Sequence, residues 1–304
     1  MLILTYTVDE ENYNRTVKHI LKNRLGLSER LIKRLKYAGK VFRNSCPVHV
    51  NETVKLGDVI SVTIDFEEEC EDVIPEEIDI DIIYEDECLI VINKQPNIVV
   101  HPTCSHPTGT IANAVMHHLI SKGVKRKIRP VSRLDRDTSG IIIFAKNQFA
   151  QEFLIRQMGS TFKKEYAGVV HGIVEKPKGT INLPIERKPG SIMLRQVSHT
   201  GAPSVTHYEV IEYLNNATFL SFNLETGRTH QIRVHCQAIG HPLVGDTLYG
   251  SETGPDGVFP KDIINRQALH SYKVSFIHPF TRTLIELTAP IPQDILKVLE
   301  ILRK

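Results

Sequence analysis

Charge changes sign abruptly along the first third of this chain, in a way that one compact domain does not require. Residues 14–59 carry eleven basic side chains (Arg15, Lys18, Lys22, Arg24, Arg30, Lys33, Arg34, Lys36, Lys40, Arg43, Lys55) against three acids, Glu29, Glu52 and Asp58. Residues 65–87 then carry thirteen acids and no base. A block switch of this kind marks a boundary. It divides the chain into a basic module over residues 1–64, an acidic linker over 65–76 that contains Pro75, and a larger domain over 77–304. With 304 residues and a net charge of +2, two cores fit, and the asymmetry within the chain says more than the total.

In the basic module Leu27, Leu31, Ile32 and Leu35 recur at helical spacing, while Arg30, Lys33, Arg34 and Lys36 fall mostly on other faces. Ser28 suits the N-cap of this helix and Gly39 its stop. Residues 40–43, 48–50 and 59–62 read as strands, with a turn at Leu56-Gly57-Asp58. A cationic helix face is either plain solvated surface or a clamp for phosphates, and charge alone weighs the two evenly.

Beyond Glu76 the periodicity is mixed. Ile78, Ile80 and Ile82 alternate with acids and lead through Glu85-Asp86-Glu87 into the apolar run 88–92, as a hairpin would. Ile111, Ala114, Val115 and His118 share a helix face. Residues 140–145 read as a buried strand, 149–158 as a helix, and 163–170, 204–211, 219–224 and 284–287 as further strands. Helices interspersed irregularly among strands predict an α+β domain, with a mixed, largely antiparallel sheet and helices and loops around a central cleft.

Five scattered cysteines (Cys46, Cys70, Cys88, Cys104, Cys236) form no C-x-x-C pair. Neither a disulfide framework nor a zinc knuckle is expected, and a reducing cytoplasm fits. The opening segment turns acidic too soon for a signal peptide, and no apolar run approaches the roughly eighteen residues of a membrane span. Glycine-rich phosphate loops, dinucleotide fingerprints and the H-E-x-x-H and G-x-S-x-G motifs are missing, so no cofactor, metal or membrane partner is expected.

Three polar segments could carry chemistry. The loop Arg133-Leu134-Asp135-Arg136-Asp137-Thr138-Ser139-Gly140 feeds the buried strand. It could set Asp135 and Asp137 on one side as a carboxylate pair, or be a salt-bridged surface loop, which composition favours. The segment Gly227-Arg228-Thr229-His230-Gln231-Ile232-Arg233-Val234-His235, ahead of a Gly-rich turn ending in Asp246, is dense in anion-binding side chains. Its histidines have no metal-ligand spacing. Lys163-Lys164-Glu165-Tyr166 lies in a strand, where a tyrosine is ordinarily packing.

Together, Val100-His101-Pro102 with Asn113, Arg133-Leu134-Asp135 with Thr138-Ser139-Gly140, Lys164-x-Tyr166-x-x-Val169 and the Gly227 to His235 segment resemble, in order, the motifs of RluA/RluD-type pseudouridine synthases over residues 76–304. Residues 14–62, with the basic helix, Gly39-Lys40-Val41, Val50-Asn51 and Gly57-Asp58, resemble an S4-type RNA-binding domain.

The first resemblance implies isomerisation of uridine to pseudouridine in RNA without a cofactor, large-subunit ribosomal RNA being the first candidate and transfer RNA the second. A monomer is the simpler assembly. It implies Asp135 as the reacting carboxylate, Arg233 as its ion-pair partner and Tyr166 against the target base. Arg133 would fill the gap left by a flipped nucleotide. Arg136, Arg228 and His230 would contact RNA, as would Arg30, Lys33, Arg34 and Lys40 of the S4-like module. A carboxylate in a closed pocket is neutralised unless a permanent cation faces it. Arg233 would supply that cation through its fork, with apolar residues around Ile141 and Val234 excluding water. Two other readings stand beside this one: a non-catalytic RNA binder with a degenerate synthase domain, and a base-excising glycosidase that uses Asp135 with Asp137.

Overall fold

A computed structural model describes residues 2–64, 73–250 and 263–304. In the basic module, strands Ile3–Thr7, Val59–Thr63, Val41–Arg43 and Cys46–Pro47 form an antiparallel sheet in that spatial order. Helices α1 (Val17–Asn23) and α2 (Glu29–Tyr37) share a core with it, built from Ile20, Leu21, Leu31 and Leu35 against Val41, Ile60 and Val62. Thr16 and Ser28 cap the two helices, each hydroxyl accepting the backbone N–H three residues on at 3.2 Å. Gly39, at φ +62°, closes α2 in the left-handed conformation expected of a helix stop.

The strand expected over 48–50 lies instead at Cys46–Pro47. Asn44 and Ser45 take φ values of 50° and 67°, the geometry of a two-residue type I′ hairpin turn, and this sets Arg43 opposite Cys46.

The acidic linker lies outside the described residues over 65–72. Its remainder is anchored to the larger domain, with the side chains of Ile74 and Pro75 left exposed. Val73 is buried in the core of the larger domain. Asn113 Nδ2 donates to the Ile74 carbonyl at 2.7 Å, and Glu76 accepts from the Gly109 N–H at 2.6 Å. Residues 73–76 therefore pack with the larger domain.

That domain is α+β, as its periodicity implies. Eight strands run across one sheet in the order Lys178–Asn182, Val205–Leu214, Ala217–Leu224, Lys163–His171, Leu269–Ile277, Ser139–Ala145, Leu89–Lys94 and Asp81–Glu85, with Leu284–Thr288 and Arg129–Pro130 attached to it. Pairing is antiparallel except where His270 and Ser271 meet Ser139 and Gly140. Every residue of Ser139–Ala145 is buried because both faces are covered. Ile142 and Phe144 pack with α3 (Ile111–Ser121), and Ile141 and Ile143 with α4 (Gln148–Gln157); hence an unbroken apolar run rather than alternation. The central strand Leu269–Ile277 escapes a sequence reading because His270, Ser271, Lys273 and Ser275 break up its apolar pattern. Helix α4 also joins the two domains. Phe149 is buried in the basic module's core, Glu152 accepts from the Ser28 hydroxyl at 3.0 Å, and Arg156 donates to the Gly26 carbonyl at 2.6 Å.

Candidate active site

The loop ahead of Ser139–Ala145 is held by its backbone. Gly140 sits at φ +108°, and a Cβ there would lie 2.2 Å from the Ser271 carbonyl oxygen, so no other residue lets the strands approach this closely. Three buried side chains grip the residues before it. Lys94 Nζ donates to the carbonyls of Arg136, Gln95 and Ile98 at 2.8, 2.9 and 3.1 Å. Arg266, held in a fork by Asp294 at 2.7 and 2.9 Å, donates to the Asp137 carbonyl at 3.0 Å. Gln267 donates to the Thr138 hydroxyl at 2.9 Å.

Burial lowers the Lys94 pKa to about 7, with the charges of Asp137 and Asp135 acting in the opposite direction. Lys94→Met removes the donors of three carbonyls in a site closed to water. Thermal denaturation should show a loss of about 2–4 kcal/mol, whereas an unchanged midpoint would mean that these carbonyls find other partners.

Asp135, projecting from this loop, meets a helix that the sequence did not suggest. The segment 227–235 turns into α5 (Gln231–Ala238). Gln231 fixes the turn by accepting from the Arg228 N–H and the Thr226 hydroxyl at 3.0 and 2.9 Å. Arg233, in the first turn, is buried and sends one N–H to Asp135 Oδ2 at 3.2 Å. The expected pair is therefore in contact, but its form differs from the expectation. The guanidinium fork is bidentate to Asp246, whose side chain is fully buried, at 2.7 and 2.8 Å. The ring of Tyr249 lies 5.1 Å from the guanidinium carbon. Burial works against the Arg233 charge, but the hydrogen bonds and charge of Asp246, then Asp135, outweigh it and push the pKa above its ordinary value. Asp135 thus has one oxygen held by a single charge-assisted bond. Its other oxygen has no hydrogen-bond partner among the described residues.

His230 faces inward. The Arg195 N–H donates to the Tyr249 hydroxyl at 2.8 Å, and that hydroxyl is also hydrogen-bonded to His230 Nδ1 at 2.8 Å. Nε2 lies 3.9 Å from Asp135 Oδ2. His230, expected to contact RNA, thus sits beside the carboxylate. Arg136, also expected to contact RNA, pairs with Asp137 at 2.9 and 3.2 Å, and neither residue lines the cleft. That separation removes the geometric basis of a glycosidase carboxylate pair.

The cleft itself has a volume of about 720 Å³, and Asp135, Tyr166, Lys164, Ser132, Arg133 and Arg228 all line it. A recess of about 90 Å³ continues from it between Asp135, Tyr166, Arg233 and Leu269. Alternation along Lys163–His171 puts Lys164 and Tyr166 on the same face. Burial, then the Asp135 charge, pushes the Tyr166 phenol upward, so it stays protonated. The apolar wall is Val131, Leu134, Phe162, Leu224 and Ile232. Ile141 and Val234 take no part in it: Ile141 packs on the α4 side of the sheet and Val234 with Ile185 and Tyr249. Of the residues whose part the sequence did not reveal, Asp246 ends the Gly-rich turn and Tyr249 follows it. Lys94 ends an apolar strand, whereas Arg266 and Gln267 carry no local signal.

The RNA pseudouridylate synthase family model matches residues 88–238. The chain is 43% identical over 278 residues to the uncharacterized RNA pseudouridine synthase YjbO of Bacillus subtilis, covering 91% of this chain and 95% of that one. It is 39% identical over 259 residues to the ribosomal large subunit pseudouridine synthase D of Escherichia coli O6:H1, covering 83% and 79%. Among solved structures, human RNA pseudouridylate synthase domain containing 1 aligns with a TM-score of 0.56 at 23% identity, covering 74% of this chain and 95% of that one, which speaks to the fold.

Proposed function

Since the chain belongs to the RNA pseudouridylate synthase family, we propose that it isomerises uridines of large-subunit ribosomal RNA, with Asp135 as the reacting carboxylate. The observation that carries this reading is the division of labour at Asp135, one oxygen held by Arg233 and the other open to a cleft that Tyr166 also lines. Isomerisation breaks the bond from N1 to ribose C1′, turns the base and joins C5 to C1′. The C5 proton leaves and N1 gains one, so the reaction is redox-neutral.

The free Asp135 oxygen is the group that engages the nucleotide. Arg233 keeps the carboxylate aimed, and Asp246 keeps Arg233 aimed. Tyr166, protonated and apolar around its ring, packs against the base. A stacked uridine must first swing out at a cost of roughly a few kcal/mol. Arg133, exposed at the cleft mouth and 3.5 Å from the Thr229 hydroxyl, is placed to fill the vacated stack, and Arg228 to take a phosphate.

Ribosomal RNA as the target draws support from the relatives named for the large subunit and from the basic module, whose helix α2 exposes Arg30 and Lys33 opposite its buried leucines. We read that module as the S4-like RNA-binding part, with Arg34 and Lys40 at its edge. A cytoplasmic monomer is the form in which this activity is expected; among the described residues no helix is long and apolar enough to cross a membrane.

The test is a pseudouridine map of RNA from cells with and without the protein. Disappearance of sites from large-subunit ribosomal RNA supports the assignment; changes confined to transfer RNA would move the target, and an unchanged map would refute it. For the module, deleting residues 1–62 would uncover Phe149, so charge reversal is the cleaner probe. Arg30→Glu with Lys33→Glu should flatten the slope of log affinity against log salt by about one for each phosphate that is no longer neutralised, with turnover at saturating RNA unchanged. An unaltered slope would remove α2 from the interface.

A further inference from the structure

Lys164 is a cation in the cleft to which the isomerisation itself gives no role. It sits two residues before Tyr166 on one strand face, and both line the 720 Å³ cavity with Asp135. Among the described residues its Nζ has one hydrogen-bond partner, the Ser132 hydroxyl, and no carboxylate within ion-pair reach. An ammonium carries three N–H groups, so donors remain for a ligand. Lys164 is half-buried, and this partial withdrawal of a cation from water with no counter-ion lowers its pKa to about 8. The anionic group of RNA is the phosphodiester, not the base. Two strand residues span about 7 Å, a separation that one nucleotide's base and phosphate can bridge.

We propose that Lys164 and the Ser132 hydroxyl form a subsite for the phosphate next to the flipped uridine, which makes Lys164 a substrate-positioning residue. The inference rests on the assignment of this cleft to RNA. Ser132 directly precedes Arg133, so a phosphate held there would also tie the strand of Tyr166 to the loop of Asp135. His101, Arg133, Asp135, Tyr166, Glu225 and Arg228 are the other charged or titratable groups that face the same cavity.

The test uses the full chain and an unmodified large-subunit ribosomal RNA transcript, with binding and pseudouridine formation measured separately. Lys164→Met should raise KM about tenfold, with kcat falling less than about threefold, and should lower the salt slope of binding by about one. Lys164→Arg, which keeps a cation, should recover most of the affinity. As pH rises from about 7 to 9 the wild-type ammonium discharges and KM should climb, while the Lys164→Arg protein, charged throughout, should stay level.

Unchanged KM and salt slope in the methionine variant would overturn the subsite, as would an arginine variant that follows the wild-type pH curve. Should the methionine variant fail to fold, the arginine pH comparison still decides. If the wild type itself modifies no RNA, the enzymatic assignment of this chain has failed, whereas the salt slope still reports whether Lys164 meets a phosphate.

Discussion

Asparagine in place of Asp135 is expected to cut pseudouridine formation by at least ~10⁴-fold, with RNA binding held within about twofold. The substitution preserves shape. An amide oxygen can still accept the Arg233 N–H that now reaches Asp135 Oδ2 at 3.2 Å, so the loop and helix α5 keep their places. What is lost is the charge and the free carboxylate oxygen facing the cleft. Because a negative charge leaves a site that receives polyanionic RNA, binding should hold or tighten slightly. Mapping pseudouridines after single-turnover incubation, beside a filter-binding titration, separates the two effects. Asp137→Asn is the control. Tied to Arg136 and away from the cavity, Asp137 should change turnover by less than about threefold.

The second large effect belongs to Asp246, which touches neither the open cleft nor Asp135. Its carboxylate takes both arms of the Arg233 fork and also accepts the N–H groups of Leu248 and Tyr249 at 2.9 and 3.1 Å. Asp246→Ala leaves a buried guanidinium whose remaining carboxylate partner among the described residues is Asp135. Breaking a buried pair from one side typically costs about 3–5 kcal/mol, so the melting temperature should fall by roughly 6–15 °C. Freed from its fork, Arg233 would close on Asp135 and occupy the oxygen that faces substrate. Turnover should therefore drop by about 10²-fold even in the fraction that remains folded. Differential scanning calorimetry and kcat at a temperature well below the transition check the two parts. A stable protein with normal kcat would show that Arg233 needs no second carboxylate to stay aimed.

The pattern of residues made some of this legible and hid the rest for physical reasons. Local signals held up well: the Ser28 cap, the Gly39 stop and the buried strand leading out of the Thr138-Ser139-Gly140 loop all announce themselves within a few residues. The central strand Leu269–Ile277 did not, because two of its polar members, His270 and Ser271, are buried by tertiary pairing and interrupt any alternating pattern. Asp135, Tyr166 and Arg233 could be named from motifs, and they do meet in one place. Their geometry could not be named. That the fork of Arg233 belongs to Asp246 depends on where the turn at 240–246 returns, and that His230 points inward depends on a hydroxyl from Tyr249. Lys94, Arg266 and Gln267 grip the loop from distant parts of the chain, and apart from the apolar strand that Lys94 ends nothing in their neighbours marks them. Long-range partners of a buried polar group are set by the fold, so they appear only when it does.

One product analysis bears most directly on the central claim that Asp135, aimed by Arg233, isomerises uridine in RNA. The purified protein is incubated with a large-subunit ribosomal RNA transcript labelled with tritium at uridine C5, and the digested RNA and the solvent are then separated by chromatography. The expected result is pseudouridine in the RNA and an equal amount of tritium in water, with no free uracil. Free uracil above an abasic site, or label that never leaves C5, would contradict it.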